Sequence, residues 1–318
     1  MVALVTGGGG FIGSHLVRGL LARGYDVRVL DNFATGRRQN LEQVSGEIEL
    51  IEGDLQSYER VHNAVKGCEV VFHQGALPSV PRSVQDPLTS TAVNVTGTLN
   101  VLLASRDEGV RRVVYASSSS VYGFNPALPK SEEMAALPMS PYAVSKLAAE
   151  GYCRSFHRVY GLDTVALRYF NVFGPGQDPN SQYSAVIPKF ITAALEERSP
   201  TVHGDGEQSR DFTFIDNVVS ANLLAAEAEG AAGEVMNIAC GDRISLNAML
   251  DHLRRLTGRE IEATHAEGRP GDVPHSQADI SKAREILGYE PIHDFEAGLR
   301  ETLGHYEELQ RADALPVA

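Results

Sequence analysis

The chain contains no tryptophan and only three cysteines in 318 residues. Cys68, Cys153 and Cys240 are scattered, without metal-ligand spacing or an obvious pairing, so reduced thiols in a cytoplasmic protein are expected rather than a disulfide framework. The ten histidines form no H-E-x-x-H or similar cluster, and no metal site is expected. No apolar stretch approaches the length of a membrane span, and the N-terminus lacks the cationic region of a signal peptide. Positive charge is scarce as well: 28 Lys and Arg against 41 Asp and Glu leave a formal charge of −13. Nucleic acid is therefore a poor partner, and a site for an anionic ligand must gather its own arginines.

Glycine, by contrast, is concentrated where it is costly to order. "TGGGGFIG", Thr6 to Gly13, follows the apolar run "VALV" and precedes "FIGSHLVRGLLARG", whose apolar residues recur at helical spacing. Strand, glycine turn and helix start make up a phosphate-binding turn, with the pyrophosphate at the positive end of the helix. Two registers fit, Gly8-Gly10-Gly13 and Gly7-Gly10-Gly13, and a flexible turn without ligand is the plain alternative. A second strand, "DVRVLDN", ends at Asp31, where an acidic residue meets the adenosine ribose hydroxyls of a dinucleotide. A carboxylate there favours NAD over NADP. Arg37 and Arg38 follow in a polar stretch and read as solvated.

Strand-like runs at Ala3–Thr6, Asp26–Leu30, Ile48–Glu52, Val70–His73, Arg112–Ser117 and Thr164–Arg168 alternate with helical patterns at Phe11–Ala22, Tyr58–Val65, Pro87–Glu108 and Tyr142–Tyr160. That alternation implies an α/β fold, a Rossmann-type doubly wound parallel sheet. After Asn171 the texture turns to Gly, Pro and Asn, followed by a helix-like Val186–Glu197. "GEVMNIAC" reads as a strand returning to the first sheet, and the tail from Ser245 as two amphipathic helices flanking a loop. A smaller, intertwined C-terminal α/β domain for substrate is expected. The division places 1–170 with about 211–240 in the nucleotide domain, and about 171–210 with 241–318 in the other.

Chemistry is expected beyond the carboxyl ends of the strands. "YASSSSVYG" leaves the fifth strand with Ser117 to Ser120, and "SPYAVSKLAAE" opens a helix with Tyr142 and Lys146 four apart, on one face. A tyrosine with its usual pKa of about 10 becomes a base near neutrality only if cations favour the phenolate by about 4 kcal/mol. Lys146 supplies one such cation and the positive nicotinamide ring of an oxidised cofactor another, and a serine hydroxyl can bind or relay at the reacting oxygen. No G-x-S-x-G elbow is present, which argues against a serine hydrolase.

From residue 2 to about 280 the chain resembles the extended short-chain dehydrogenase/reductases, and among them the UDP-sugar 4-epimerases. The resemblance is carried by "TGGGGFIG", "LDN", "GDL", "FHQGA", "SSSSVYG", "PYAVSK", "RYFNVFGPGQDP", "AVIPKF", "SRDFTFID" and "RPGDVPHSQAD". It implies that Gly7, Gly10, Phe11, Ile12 and Gly13 hold the pyrophosphate of NAD, that Asp31, Asn32 and Gly36 surround the ribose, and that Asp54 and Leu55 meet the adenine. It further implies that Gln74, Gly75 and Ala76 line the cofactor with Asn94 nearby, and that Tyr169 faces the nicotinamide. Tyr142, Lys146 and Ser118 would be catalytic, with Lys146 also on the nicotinamide ribose. Ser119 and Ser120 would touch the sugar, and Asn171, Val186, Arg210 and Arg269 the UDP. Ser276 occupies the position where members restricted to glucose and galactose carry tyrosine, which leaves room for a 2-acetamido group, and Ser79 would offer it a hydroxyl. The related dehydratases have an Asp-Glu pair where this chain has Ser119 and Ser120, which disfavours elimination.

The activity implied is reversible C4 inversion of UDP-N-acetylglucosamine and UDP-N-acetylgalactosamine, together with UDP-glucose and UDP-galactose. The alternatives are another NAD-dependent nucleotide-sugar enzyme (a UDP-glucuronate epimerase, decarboxylase or reductase) or a non-catalytic dinucleotide sensor. A homodimer through Pro87–Glu108 and Tyr142–Tyr160 is also implied.

Overall fold

The computed structural model describes residues 1–178, 186–268 and 273–312. Its N-terminal half alternates strand and helix: β1 (Val2–Thr6), α1 (Phe11–Ala22), β2 (Asp26–Asp31), β3 (Ile48–Glu52), α2 (Tyr58–Val65) and β4 (Val70–His73). It continues with α3 (Val80–Gln85), α4 (Pro87–Thr91), α5 (Gly97–Asp107), β5 (Arg112–Ser118), α6 (Pro141–Tyr160) and β6 (Asp163–Tyr169). The short β7 (Val172–Phe173), α7 (Val186–Leu195), β8 (Thr201–His203), β9 (Ser209–Arg210), β10 (Thr213–Phe214) and α8 (Ile215–Glu227) follow. Next come β11 (Val235–Ile238), β12 (Ile244–Ser245), α9 (Leu246–Thr257), β13 (Thr264–Ala266), α10 (Ser281–Leu287) and α11 (Phe295–Arg311).

Seven strands form one parallel sheet in the order β11-β6-β5-β4-β1-β2-β3, and Val235–Ile238 does return to it, against β6. Alternate residues of β1 serve opposite faces. Ala3 and Val5 pack with Leu16, Val17 and Leu20 of α1, whereas Leu4 packs with Val61 and Val65 of α2 and Val101 and Leu102 of α5. With both faces covered, every strand position can be apolar, which is why β1 and β4 read as unbroken hydrophobic runs. The chain order reverses between β1 and β4, and a crevice opens there at the carboxyl ends.

The C-terminal part is made of two-stranded ribbons, β7 with β10, β8 with β13 and β9 with β12, packed with α7, α9 and α11. Phe173, Phe212, Phe214 and Phe295 stack at its centre, and these rings belong to the same apolar core as the α1 face of the sheet. The two parts therefore share a core, as expected of an intertwined chain.

Two expected elements differ in detail. Pro87–Asp107 is a continuous helical run, as expected, but it is not uniform: a π-type turn at Ala92–Thr96 lies between α4 and α5. Within that turn the Asn94 side chain is drawn to the Leu77 backbone, which an unbroken α-helical face would not require. Among the described residues the tail carries three helices rather than two, because Gly288 in the left-handed conformation ends α10 and Asp294 caps a fresh start at α11.

Candidate active site

A cleft of about 1200 Å³ runs from the glycine turn across the ends of β1, β4 and β5 to the β9 ribbon. Gly7, Gly10 and Gly13 line it, which selects that register over the one through Gly8. Gly7 is left-handed at φ +70°, and a Cβ on Gly13 would lie 2.1 Å from the Gly7 carbonyl oxygen. Gly10 differs, because its Cβ would meet only that oxygen, at 3.2 Å, and otherwise project into open space. Gly10 is also the N-cap of α1, and no side chain caps this helix nor does an acidic residue occupy its first turn. The end of α1 is thus electropositive and bare, suited to a pyrophosphate.

Asp31 is buried at the end of β2, where it accepts hydrogen bonds from Gly9 N–H at 2.8 Å and Phe33 N–H at 2.7 Å. Burial raises its pKa and these donors pull it back. Asn32, whose amide donates to Asp54, lines the cleft with Asp54, Leu55 and Gly36. Gln74, Gly75 and Ala76 form the opposite wall. Arg37 and Arg38 are exposed but not free: Arg37 pairs with Asp178, and Arg38 pairs with Glu52 over the Phe33 ring. These features fit NAD, with a carboxylate placed for a ribose and the two arginines that follow it already paired.

Deeper in, Tyr142, Lys146 and Ser118 converge. Ser140 caps α6 and sets its first turn, and Tyr142 N–H donates to Ser83 Oγ of α3. The Lys146 ammonium donates to the Ala116 carbonyl at 2.7 Å and lies 6.0 Å from the centre of the Tyr142 ring. Burial lowers the Lys146 pKa to about 8. For Tyr142 the expectation counted the positive nicotinamide ring as well as Lys146, and the protein alone supplies only the lysine. Burial raises its pKa above the ordinary value, and a hydrogen bond with Ser118 lowers it again. Lys146 faces the tyrosine without overcoming the cost of burying a phenolate.

Ser119 and Ser120 line the cleft next to Ser118, and the buried Ser120 Oγ has no partner among the described residues. Ser79 also faces the cleft, and its hydroxyl caps α3. Tyr169 lines the cleft with its hydroxyl bound by Gln74 and Asn222. At the far end stand Asn171, Arg210 and Ser276. Asn171 holds a positive φ and donates to the Asp211 carbonyl, and the Arg210 guanidinium donates to the carbonyls of Ser209 and Pro274.

Two expected site residues do not line the cleft, and a third cannot be placed. Asn94 lies behind the wall, buried, bonding the Leu77 backbone and Ser145. Val186 begins α7 and does not line the cleft. Arg269 falls outside the described residues. Residues not singled out from the sequence also line the cleft, among them Arg82, Phe124, Lys130, Met139 and His275. Phe124 and Met139 occupy irregular segments, where no periodicity marks them. Among the described residues no group of three His, Cys, Asp or Glu side chains could hold a metal ion, and no helix is long and apolar enough to cross a membrane.

The model of the NAD dependent epimerase/dehydratase family matches residues 3–239. A UDP-glucose 4-epimerase of Mycolicibacterium smegmatis is 38% identical over 307 residues, covering 95% of this chain and 97% of that one. The UDP-N-acetylglucosamine 4-epimerase of Methanobrevibacter ruminantium, solved with UDP-N-acetylmuramic acid, superposes with a TM-score of 0.92 at 42% identity, over 96% of this chain and 98% of that one. The UDP-glucose 4-epimerase of Thermus thermophilus, solved with NAD, superposes with a TM-score of 0.87 at 37% identity, over 96% and 99%. The chain belongs to the NAD-dependent epimerase/dehydratase family, as an NAD-using enzyme of its UDP-sugar 4-epimerase branch.

Proposed function

We propose that the enzyme inverts C4 of UDP-hexoses, acting on the pair UDP-N-acetylglucosamine and UDP-N-acetylgalactosamine and on UDP-glucose and UDP-galactose. The observation that carries this reading is the convergence of Tyr142, Lys146 and Ser118 on one cleft with a dinucleotide turn at one end and Arg210 at the other. Bound NAD supplies a hydride acceptor and donor. Tyr142 Oη takes the proton of the C4 hydroxyl and later returns it, while Lys146 favours its phenolate. Ser118 holds the C4 oxygen. Arg210 and Arg269 clamp the diphosphate, so the 4-keto sugar turns over while its UDP stays fixed. Ser119 and Ser120 offer hydroxyls and no carboxylic acid, so the C6 hydroxyl is not protonated for elimination.

Ser276 supports the acetylated pair, because a small side chain at this point of the cleft lining leaves space for a 2-acetamido group. In this reading residues 1–170 with about 211–240 hold NAD, and about 171–210 with 241–318 hold the UDP-sugar. The test is incubation with each UDP-sugar, uronic acids included, without added nicotinamide, with products identified by NMR. The C4 epimer of the acetylated sugar is expected. Conversion only with stoichiometric NAD would instead mark a dehydrogenase, loss of carbon dioxide from a uronate would mark a decarboxylase, and NAD binding without turnover would mark a sensor.

We also propose a homodimer through α4–α5 and α6. Leu88 of α4 and Val144, Tyr152 and Val159 of α6 are exposed apolar side chains, and the α6 spacing puts its three on one face. Light scattering should give twice the chain mass, and a monomer at micromolar concentration would refute the interface.

A further inference from the structure

Helix α6 presents three polar side chains four residues apart, Tyr142, Lys146 and Glu150, and the end of β5 meets each of them. Ser118 lies in the cleft with Tyr142 and lowers its pKa, the Ala116 carbonyl accepts from Lys146, and the Ser117 hydroxyl donates to Glu150. Glu150 is 2% exposed and does not line the cleft. It also receives a two-pronged hydrogen bond from Arg168 of β6, Nε to Oε1 at 2.9 Å and Nη2 to Oε2 at 2.8 Å. A buried pair of this kind is by itself a weak stabiliser, since desolvation offsets most of the attraction. Its position one turn behind Lys146 gives it a second consequence.

We propose that Glu150 is a positioning residue for the reaction, the buried negative charge that holds Lys146 as an ammonium ion beside Tyr142. The described groups around Lys146 offer no other candidate. Tyr115 of β5 offers a ring face at 5.1 Å, and Tyr142 another. His73 of β4 is held neutral, its pKa lowered to about 3 by burial, with the Lys146 charge adding to the effect. Cys153 of α6 remains a thiol because burial raises its pKa far above the usual value. Arg168 of β6 is a cation. Glu150 is the one carboxylate among these groups, and its charge leads the influences that oppose the downward pull of burial on Lys146. The sign follows. Lys146 is charged below its pKa, so removing the Glu150 charge lowers that pKa and moves the alkaline loss of activity to lower pH.

This inference rests on the Tyr142–Lys146 reading of the site, and its test separates the two. The chain has five lysines, so ¹³Cε-lysine labelling gives few NMR signals, with Lys146 assigned through Lys146→Arg. In Glu150→Gln the Lys146 titration midpoint should fall by about one pH unit or more, and the alkaline limb of kcat should move with it, costing about fivefold or more near pH 8 at unchanged KM. Because Glu150→Gln strands the Arg168 guanidinium, the double variant Glu150→Gln/Arg168→Met provides a folded comparison, and its midpoint should also lie below that of wild type. A Lys146 midpoint unchanged in both variants would overturn the inference and leave Glu150 as the structural partner of Arg168. A midpoint that falls without moving the kcat limb would overturn it equally. Failure of the epimerase reading itself would appear separately, as wild-type enzyme that makes no C4 epimer.

Discussion

Asp31→Asn preserves the size of the side chain at the end of β2 and removes its charge. The wild-type carboxylate accepts Gly9 N–H on one oxygen and Phe33 N–H on the other, in a buried position. An amide has a single acceptor oxygen, so its NH₂ must confront one of those N–H groups. Leaving a buried donor without a partner costs about 1–3 kcal/mol, and each kcal/mol lowers the Tm of a chain of this size by about 1.5 °C. The ribose contact suffers in addition. A hydrogen bond to a charged group contributes about 1.5–3 kcal/mol, so the NAD Kd should rise roughly 10- to 150-fold. NADP should gain nothing, since Arg37 and Arg38 are paired with Asp178 and Glu52 and offer no spare cation. Titration calorimetry of cofactor-stripped protein measures the Kd, and scanning calorimetry the Tm. A lowered Tm with the NAD Kd unchanged within about twofold would refute the ribose assignment and leave Asp31 as a brace for the glycine turn.

Tyr142→Phe removes only the hydroxyl that carries the proton, so kcat should drop by about 10²–10⁴ with the NAD Kd unchanged; steady-state assays giving near wild-type turnover would remove Tyr142 from the chemistry. Ser276→Tyr should overpack the sugar end by about 1–3 kcal/mol, raising KM for the acetylated substrates about 5- to 150-fold while sparing UDP-glucose and UDP-galactose. Intact activity on UDP-N-acetylglucosamine would place the specificity gate elsewhere.

The sequence by itself determined what depends on local chemistry and period. Glycines before a helix, an acidic residue closing the second strand, alternating apolar runs and a Tyr-Lys pair at helical spacing are each set within a few residues, so α1, α2, β3 and β4 match the expected bounds. The tertiary structure decided what depends on residues distant in sequence. The Leu77 backbone, 17 residues away in sequence, holds the Asn94 side chain behind the cleft wall at the π-type turn of the helix. Burial raises the pKa of Tyr142, which the four-residue spacing to Lys146 alone could not show. Phe124 and Met139 enter the cleft from segments without any period. Glu150 shows the division most clearly. Its four-residue spacing from Lys146 is written in the chain, but only the pairing of β5 with β6 brings Arg168 and Ser117 to it, because a buried charge is shaped by everything that excludes water from it.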